Sequence, residues 1–533
     1  MVFTIINSIV VMGYLIGVCY LVYKGRGRTR TPLHQIRPDS GVMALSHGAI
    51  PLGATAVIGF GGGGAFFGFS LLWLCFLCVI VGVFSAFVLC GKRARRMGMA
   101  LNAHTLPEWL GERYQSRFIM GFAALLIFAV IPIYAAAILI GVARLIEVAL
   151  HIPYVVALLA FSAFVAVYLI LGRGSGVRYI DAWHGVFMVV IMAVFCYWTY
   201  WLLGGVVPAH QALAEIAPVV PERWAALGHQ GWTEGLRAGS PFWWIVCSSI
   251  MYGVGIGALV QPQLVTRFLT ASSDRELNRS VLVAGIFSLV MVGVPLIVGP
   301  LTNVIFMQQF DQIAIAVAKG NMDKIIPLYV MTVMPWWFGA LFLVGVLAAA
   351  TVALRSQFYS GASSFGQDFY GKIMSFRSEG QIFTTQVGMV LTIIATVLWG
   401  IVLPAGSIMF ATAFFFGVCA SSFLPPYLLG LYWKGVTRTG ATASMLGGAG
   451  MSFIWMLFFH YQESAALGVC EVLFDQVNVV AGSQPTSWQW QLQYVDPIVI
   501  ALPTSFALCI WVSRKTRKMS RDHLNRCFKY ITK

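Results

Sequence analysis

Residues 46–68 read SHGAIPLGATAVIGFGGGGAFFG, an apolar stretch of membrane-spanning length interrupted by Pro51, Gly53 and four consecutive glycines at 61–64. Proline removes a backbone donor and glycine adds backbone freedom, so a helix written this way is expected to unwind part-way along. Unwound backbone at membrane depth survives only where it lines a protein-enclosed or wet cavity. A second stretch repeats the pattern: MYGVGIGALVQPQLVTRF, 251–268, carries Gly253, Gly255, Gly257 and then Pro262. Either stretch alone could be a helix whose small residues permit close packing. The two lie five spans apart, as paired broken helices in an inverted repeat require, and such pairs surround the binding site of a carrier.

The bulk composition agrees. Of 533 residues, 59% are hydrophobic and only 10% charged, and the mean hydropathy is +0.82. A soluble fold this apolar would have no surface to offer water, so the chain is expected to be an all-α polytopic membrane protein. Thirteen helices are predicted, roughly at 3–23, 43–69, 71–90, 118–148, 153–172, 182–204, 242–262, 280–305, 332–360, 383–403, 405–431, 440–460 and 495–512. The connecting segments 205–241, 306–331 and 461–494 read as capping loops with short helices, and none is long enough for a separate soluble domain.

The net charge of +15 comes from short basic segments between the spans: KGRGRTR at 24–30, GKRARR at 91–96 and RKTRK at 514–518. This is the positive-inside pattern, which reports orientation rather than a nucleic-acid partner. It predicts an N-terminus outside and a cytoplasmic C-terminus, leaving only Arg144, Arg223, Arg237, Lys319 and Lys324 on the outer side. The first apolar run has no basic residues ahead of it and reads as a retained span rather than a removed signal peptide. Cys75 and Cys78 form a CxxC, but inside an apolar helix without His or acidic neighbours, where inert buried thiols are expected. GFGGGG at 59–64 satisfies GxGxxG without the strand that a dinucleotide loop needs. There is no HExxH, no GxSxG and no pair of carboxylates inside a span, so an enzyme is not expected.

Five junctions, in order, carry a family resemblance: HTLPEWLGERYQSR (104–117), YIDAWHG (179–185), QPQLVTRFLTA (261–271), LAAATVALRSQF (347–358) with SSFGQDFYGK behind it, and LPPYLLGLYWKGVTRTGATA (424–443). Together they resemble the sodium:solute symporter family. The resemblance implies a LeuT-like arrangement in one transmembrane domain spanning 1–533. It would comprise an extra helix at 3–23, a first repeat at 43–204, a second at 242–431, two C-terminal helices over 440–512 and a basic tail at 513–533. It further implies alternating access around a midplane site, with a small-molecule solute and membrane lipids as partners. An accessory subunit and a homo-oligomer both stay open, as do a solute sensor and a conventional sodium-coupled symporter.

In that family the equivalent of 347–358 usually reads like LAAAMSTLDSQL, and its adjacent hydroxyls hold sodium together with carbonyls one turn earlier and on the first broken helix. Here the hydroxyl positions are Val352 and Ala353, the earlier alanine is Ala349, the broken-helix matches are Ala49 and Leu52, and the usual acid is Arg355. Sodium is therefore doubtful at this site, and no other cofactor is implied. An arginine at mid-membrane costs about 2.5–3.5 kcal/mol on insertion scales. Asp181, in YIDAWHG, matches a family aspartate near the same place and would reduce that cost by pairing. The expectation is a tethered cation where sodium normally sits, giving a uniporter, an exchanger or a proton-coupled carrier. Two plainer readings stand beside it: Arg355 snorkels to the cytoplasmic surface, or sodium binds elsewhere. For the solute, Gly53, Thr55, Gly61, Gly62, Gly257, Gln261, Phe410 and Thr412 are the candidate lining residues, with Ser407, Phe414 and Ile138 nearby. Amides at glycine-rich helix breaks suit a carboxylate, so a small organic acid or amino acid is expected over a sugar. His47 is expected to be a packing residue.

Overall fold

A computed structural model describes residues 2–25, 55–171, 176–371, 378–484 and 487–531. Among the described residues the regular structure is entirely helical. Ten helices are long and apolar enough to cross a membrane, and two shorter apolar ones accompany them. We number the helices used below as α1 Val2–Gly25, α2 Thr55–Leu101, α3 Leu106–Arg113, α4 Arg117–Leu150, α5 Tyr154–Leu171, α6 Gly176–Leu202, α7 Pro241–Thr270, α8 Asp274–Phe310, α9 Ile325–Thr332, α10 Trp336–Ser363, α11 Ser378–Val402, α12 Ile408–Tyr432, α13 Arg438–Phe458, α14 Ile498–Lys515 and α15 Arg521–Phe528.

Helix α2 is two spans joined at a hairpin bend, which accounts for the second and third predicted helices. Going up its first limb, Gly61 meets Gly299 and Pro295 of α8, and Ala65 accepts a hydrogen bond from Asn303. Going down the return limb, Cys75 lies by Gly293 and Gly91 by Leu277 of the same helix. The chain reverses at Gly68, whose φ of +70° admits a glycine. A Cβ there would lie 2.5 Å from the Trp232 carbonyl oxygen, to which the Phe69 N–H donates.

The predicted break in α7 is present; in α2, Pro51 and Gly53 lie outside the described residues, and Gly61–Gly64 belong to a regular α-helix. The first limb of α2 opens with wide π-helical turns over Thr55–Phe60 before tightening at Gly61. Helix α7 is π-helical over Ile245–Val254, narrows to a 3₁₀ turn at Ala258–Val260, leaves the helix at Gln261 (φ −53°, ψ 128°) and restarts at Pro262. Proline at the restart needs no donor partner, so the sequence places it where its missing N–H is harmless. The return limb of α2 packs tightly on this break: Gly82 approaches the Gly255 carbonyl, and Gly255 approaches Leu77.

Two faces terminate the bundle. Segments 203–240, 311–335, 403–407, 459–484 and 487–497 gather at the end where α1 begins. Trp232 bonds Phe69, Gly406 bonds Asp323, and Asp496 donates its N–H to Ser248. The opposite, tail face carries α3 and α15. Its helices start with a recurrent device: Thr105 accepts from the Glu108 N–H while Glu108 accepts from His104, and Ser273 accepts from the Glu276 N–H while Glu276 accepts from Ser272. This reciprocal capping satisfies donors that a helix start leaves over. Basic residues are spent here on contacts as well as on charge: Arg95 and Arg96 both clasp Asp274 at 2.8 Å. Cys75 and Cys78 are free buried thiols, and no group of three or more His, Cys, Asp or Glu suited to a metal occurs among the described residues.

Candidate functional site

The two broken helices meet through α4 and α12. Thr55, at the start of the described part of α2, is fully buried and faces the Tyr134 hydroxyl of α4. Tyr134 stacks on Phe415 of α12, ring centroids 4.9 Å apart and planes 5° from parallel, and meets Phe416 edge-on at 5.5 Å. Phe416 in turn covers Gly257 of α7, where a Cβ would lie 2.6 Å from its Cβ and its carbonyl oxygen. Thr55, Tyr134, Phe415, Phe416 and Gly257 thus form one continuous wall across the middle of the molecule. The sequence reading singled out Ile138 on α4, one turn beyond Tyr134, and Phe410 and Phe414 on α12. Phe410 and Phe414 are half-buried, and Phe416 lies two residues, roughly 200°, around the helix from Phe414. The Tyr134–Phe415 stack is tertiary, and the only local signal for it was Pro132, the proline inside α4.

The remaining solute candidates fall in two places. Gly61 and Gly62 sit above the wall, against the segment that follows α8: Gly61 packs on Ile326, and a Cβ at Gly62 would lie 2.1 Å from the Met322 carbonyl oxygen. Thr412 is fully buried and donates its hydroxyl to the Ile408 carbonyl at 2.7 Å. Gln261 is buried at the α7 break, its Oε1 accepting from Gln263 at 3.2 Å while its Nε2 has no partner among the described residues. An amide donor held in place without an acceptor is available to a solute carboxylate or carbonyl. Ser407 is buried with an unpartnered hydroxyl beside the α12 start. Gly53, His47, Ala49 and Leu52 lie outside the described residues.

On α10, Ala349, Val352 and Ala353 are all buried and offer no side-chain oxygen. The neighbouring hydroxyl, Thr351, donates to the Leu347 carbonyl at 2.7 Å and lies against Tyr14 of α1. A hard cation needs a shell of oxygens, and these side chains do not supply one. The Arg355 guanidinium is directed toward Tyr168 of α5, on the side of α10 covered by α1, α5 and α6. There the Tyr14 and His184 rings stand 6.0 Å apart, and among the described residues the Tyr168 hydroxyl and His184 Nδ1 are buried without a hydrogen-bond partner. Asp181 belongs to α6, one turn before His184; its side chain lies outside the described residues. The first helix, expected from the sequence only as an extra span, therefore contributes to the surroundings of Arg355.

Comparison with known proteins bears on this arrangement as a whole. The model of the sodium:solute symporter family matches residues 40–448. The chain is 26% identical over 417 residues to the sodium/pantothenate symporter of Haemophilus influenzae, covering 77% of this chain and 80% of the relative. It is 25% identical over 435 residues to the sodium/proline symporter of the same organism, covering 79% and 81%. Among solved structures, a Na+-coupled sialic acid symporter in a substrate-bound outward-open state superposes with a TM-score of 0.69 at 16% identity, covering 97% of this chain and 99% of that one, which establishes a shared LeuT-type fold. With the broken helices, the altered α10 and the order of its junctions in view, the chain belongs to the sodium:solute symporter family, and it is accordingly a secondary transporter of the membrane rather than an enzyme.

Proposed function

We propose that this transporter moves a small organic acid or amino acid by alternating access, without sodium at the family's usual site. The observation that carries this reading is the chemistry of α10. Where hydroxyls are needed there are Val352 and Ala353, the nearest hydroxyl, Thr351, is already committed to the Leu347 carbonyl, and Arg355 stands one turn further on. A fixed guanidinium one turn from positions that offer no side-chain oxygen supplies the positive charge that an ion would otherwise bring. The unpartnered amide of Gln261 and the tight glycine wall around Gly257 support a small polar solute over a bulky one. The basic residues clustered on the tail face support the orientation that puts α1 entering from outside and the tail in the cytoplasm.

Thermal unfolding of the purified protein with carboxylates, amino acids and sugars, each in sodium and in choline, tests the proposal. The expected result is a carboxylate or amino acid that raises the midpoint equally in both salts. A rise confined to sodium overturns it. The V352S/A353T/R355D combination is expected to create a sodium response where the native chain has none. At sodium a hundredfold above its dissociation constant this amounts to about 2.7 kcal/mol of stabilisation.

A further inference from the structure

The segment between α8 and α10 covers the described start of the first broken helix, as a lid would. It leaves α8 at Asp311, turns back through Lys319 and Gly320, both at positive φ, and runs into α9. Its tip lies on the first broken helix, the Met322 carbonyl over Gly62 and Ile326 against Gly61. No side chain larger than glycine fits beneath it, so in this conformation it sits directly on α2.

One carboxylate ties the lid to the helix beside it. Asp323 is 2% exposed, and its Oδ2 accepts from the Gly406 N–H at 3.0 Å, with the amides of Ser407 and Ile408 adjacent. These amides are the leftover donors at the start of α12, where the helix dipole favours an anion. Gly406 presents its N–H this way at φ +80°, with Met322 Cε 3.3 Å from where a Cβ would be. Other polar groups complete the surroundings. Asn321 accepts from the Asp323 N–H. Lys324 of the lid and Arg144 of α4 each bind Glu147 of α4 at 2.9 Å. The Arg144 guanidinium covers the Tyr154 ring of α5 at 3.7 Å. Among the described residues, Arg144, Glu147, Lys324 and Tyr154 are thus the titratable or charged groups nearest the carboxyl.

We propose that Asp323 is the proton-sensitive latch of the lid, a positioning residue that couples closure of this gate to uptake of one proton. Burial pushes its carboxyl up to about 7, even against Arg144 and the Gly406, Ile408 and Ser407 amides, all of which favour the charged form. With the lid lifted the carboxyl is in water, near the ordinary value of about 3.9. The closed state therefore holds a proton that the open state lacks between about pH 4 and 7. Across that window each unit of rising pH lowers the closed-to-open ratio up to about tenfold, and above it the ratio levels off. Acid shuts the lid, and opening it at neutral pH releases a proton.

The test reads lid opening rather than transport, so it stands or falls apart from the solute and sodium proposal. Ile326→Cys puts a thiol in the buried contact with Gly61. With Cys247 and Cys470 replaced by serine and the same protein lacking Ile326→Cys as the blank, its maleimide labelling rate is measured from pH 5.5 to 8. Asp323→Asn, permanently neutral, supplies the reference that cancels the thiol's own pH dependence. The labelling rate relative to Asp323→Asn is expected to climb tenfold or more across the range, while Asp323→Ala, which cannot cap α12, labels quickly at every pH. A flat ratio overturns the proposal. So does absence of labelling throughout, or Asp323→Ala labelling as slowly as Asp323→Asn.

Discussion

Helix α12 is held by a buried ionisable side chain at each end, and the two ends are built differently. At its start, Asp323 on a lid accepts backbone N–H donation. At its finish, Arg113 of α3, with no exposure at all, donates to the Gly430 carbonyl at 3.1 Å and the Trp433 carbonyl at 3.4 Å. The placement follows the helix dipole, which favours an acidic group at the N-terminus and a cation at the C-terminus. The difference lies in what holds the charge. Arg113 is packed between Tyr114 and Phe528, its own carbonyl meets His523 of α15 at 3.0 Å, and Tyr114 bonds Pro426. Guanidinium groups do not titrate in proteins. Asp323 sits on a loop and carries a proton that neutral pH can remove. One end of α12 is anchored and the other can be let go, so a carrier that opens toward alternate faces has its releasable clasp at the α1-entry face.

The anchored end gives the largest expected effect. Arg113→Ala deletes two hydrogen bonds from a charged donor, each contributing about 1.5–3 kcal/mol, and strands two carbonyls. Unfolding of the purified variant should show a loss of at least about 3 kcal/mol or failure to accumulate as folded protein. Arg113→Lys keeps the charge but not the fork and should recover only part of it. If Arg113→Ala cost less than Asp323→Ala, the contrast between anchor and latch would collapse.

Gly62→Ala probes the lid from beneath. Its methyl would stand 2.1 Å from a backbone carbonyl, which cannot rotate away, so the lid must lift or the helix must shift. Overpacking of this kind costs about 1–3 kcal/mol. Faster labelling of the Ile326→Cys thiol at pH 5.5, where the native lid is shut, is the expected outcome. An unchanged rate would mean that lid and α2 move as one body.

Asp323→Ala comes next, at about 0.5–2 kcal/mol for a lost helix cap. Because the native carboxyl is protonated in the closed state and not in the open one, the penalty should be read at fixed pH. The native lid loses closure as pH rises toward 7, whereas the alanine variant has no pH dependence from this source.

How far the sequence foretold these features follows from which forces wrote them. Span lengths and the α7 interruption were legible because hydrophobic run length, glycine and proline act locally. Helix ends drifted for the same reason: the return limb of α2 continues from the predicted 90 to Leu101, since Lys92–Leu101 is amphipathic and packs on α7 after the apolar run is over. The loss of oxygen ligands at Val352 and Ala353 could be read directly. The Tyr134–Phe415–Phe416 wall could not, because one sequence does not say which face of α12 meets α4. Gln261, expected as an exposed amide, is buried and partly paired with Gln263, since the chain bends back at Pro262. Asp323 passed as one more polar loop residue; its burial is created by the close approach of Gly62 and Gly406, both remote from it along the chain.

The smallest effect separates charge from position at the lid. Lys324 and Arg144 both reach Glu147, with side-chain exposures of 28%, 15% and 21%. A pair this open to solvent contributes about 0.2–1 kcal/mol and weakens with salt. Lys324→Ala should therefore raise Ile326→Cys labelling a few-fold at most, less in 0.5 M salt, and leave its pH dependence intact. That pattern would assign the proton sensitivity to the buried carboxylate and only a trim of the lid's resting position to the surface pair. If Lys324→Ala instead abolished the pH dependence, the latch would be the Lys324–Glu147–Arg144 network, with Asp323 reduced to a structural cap.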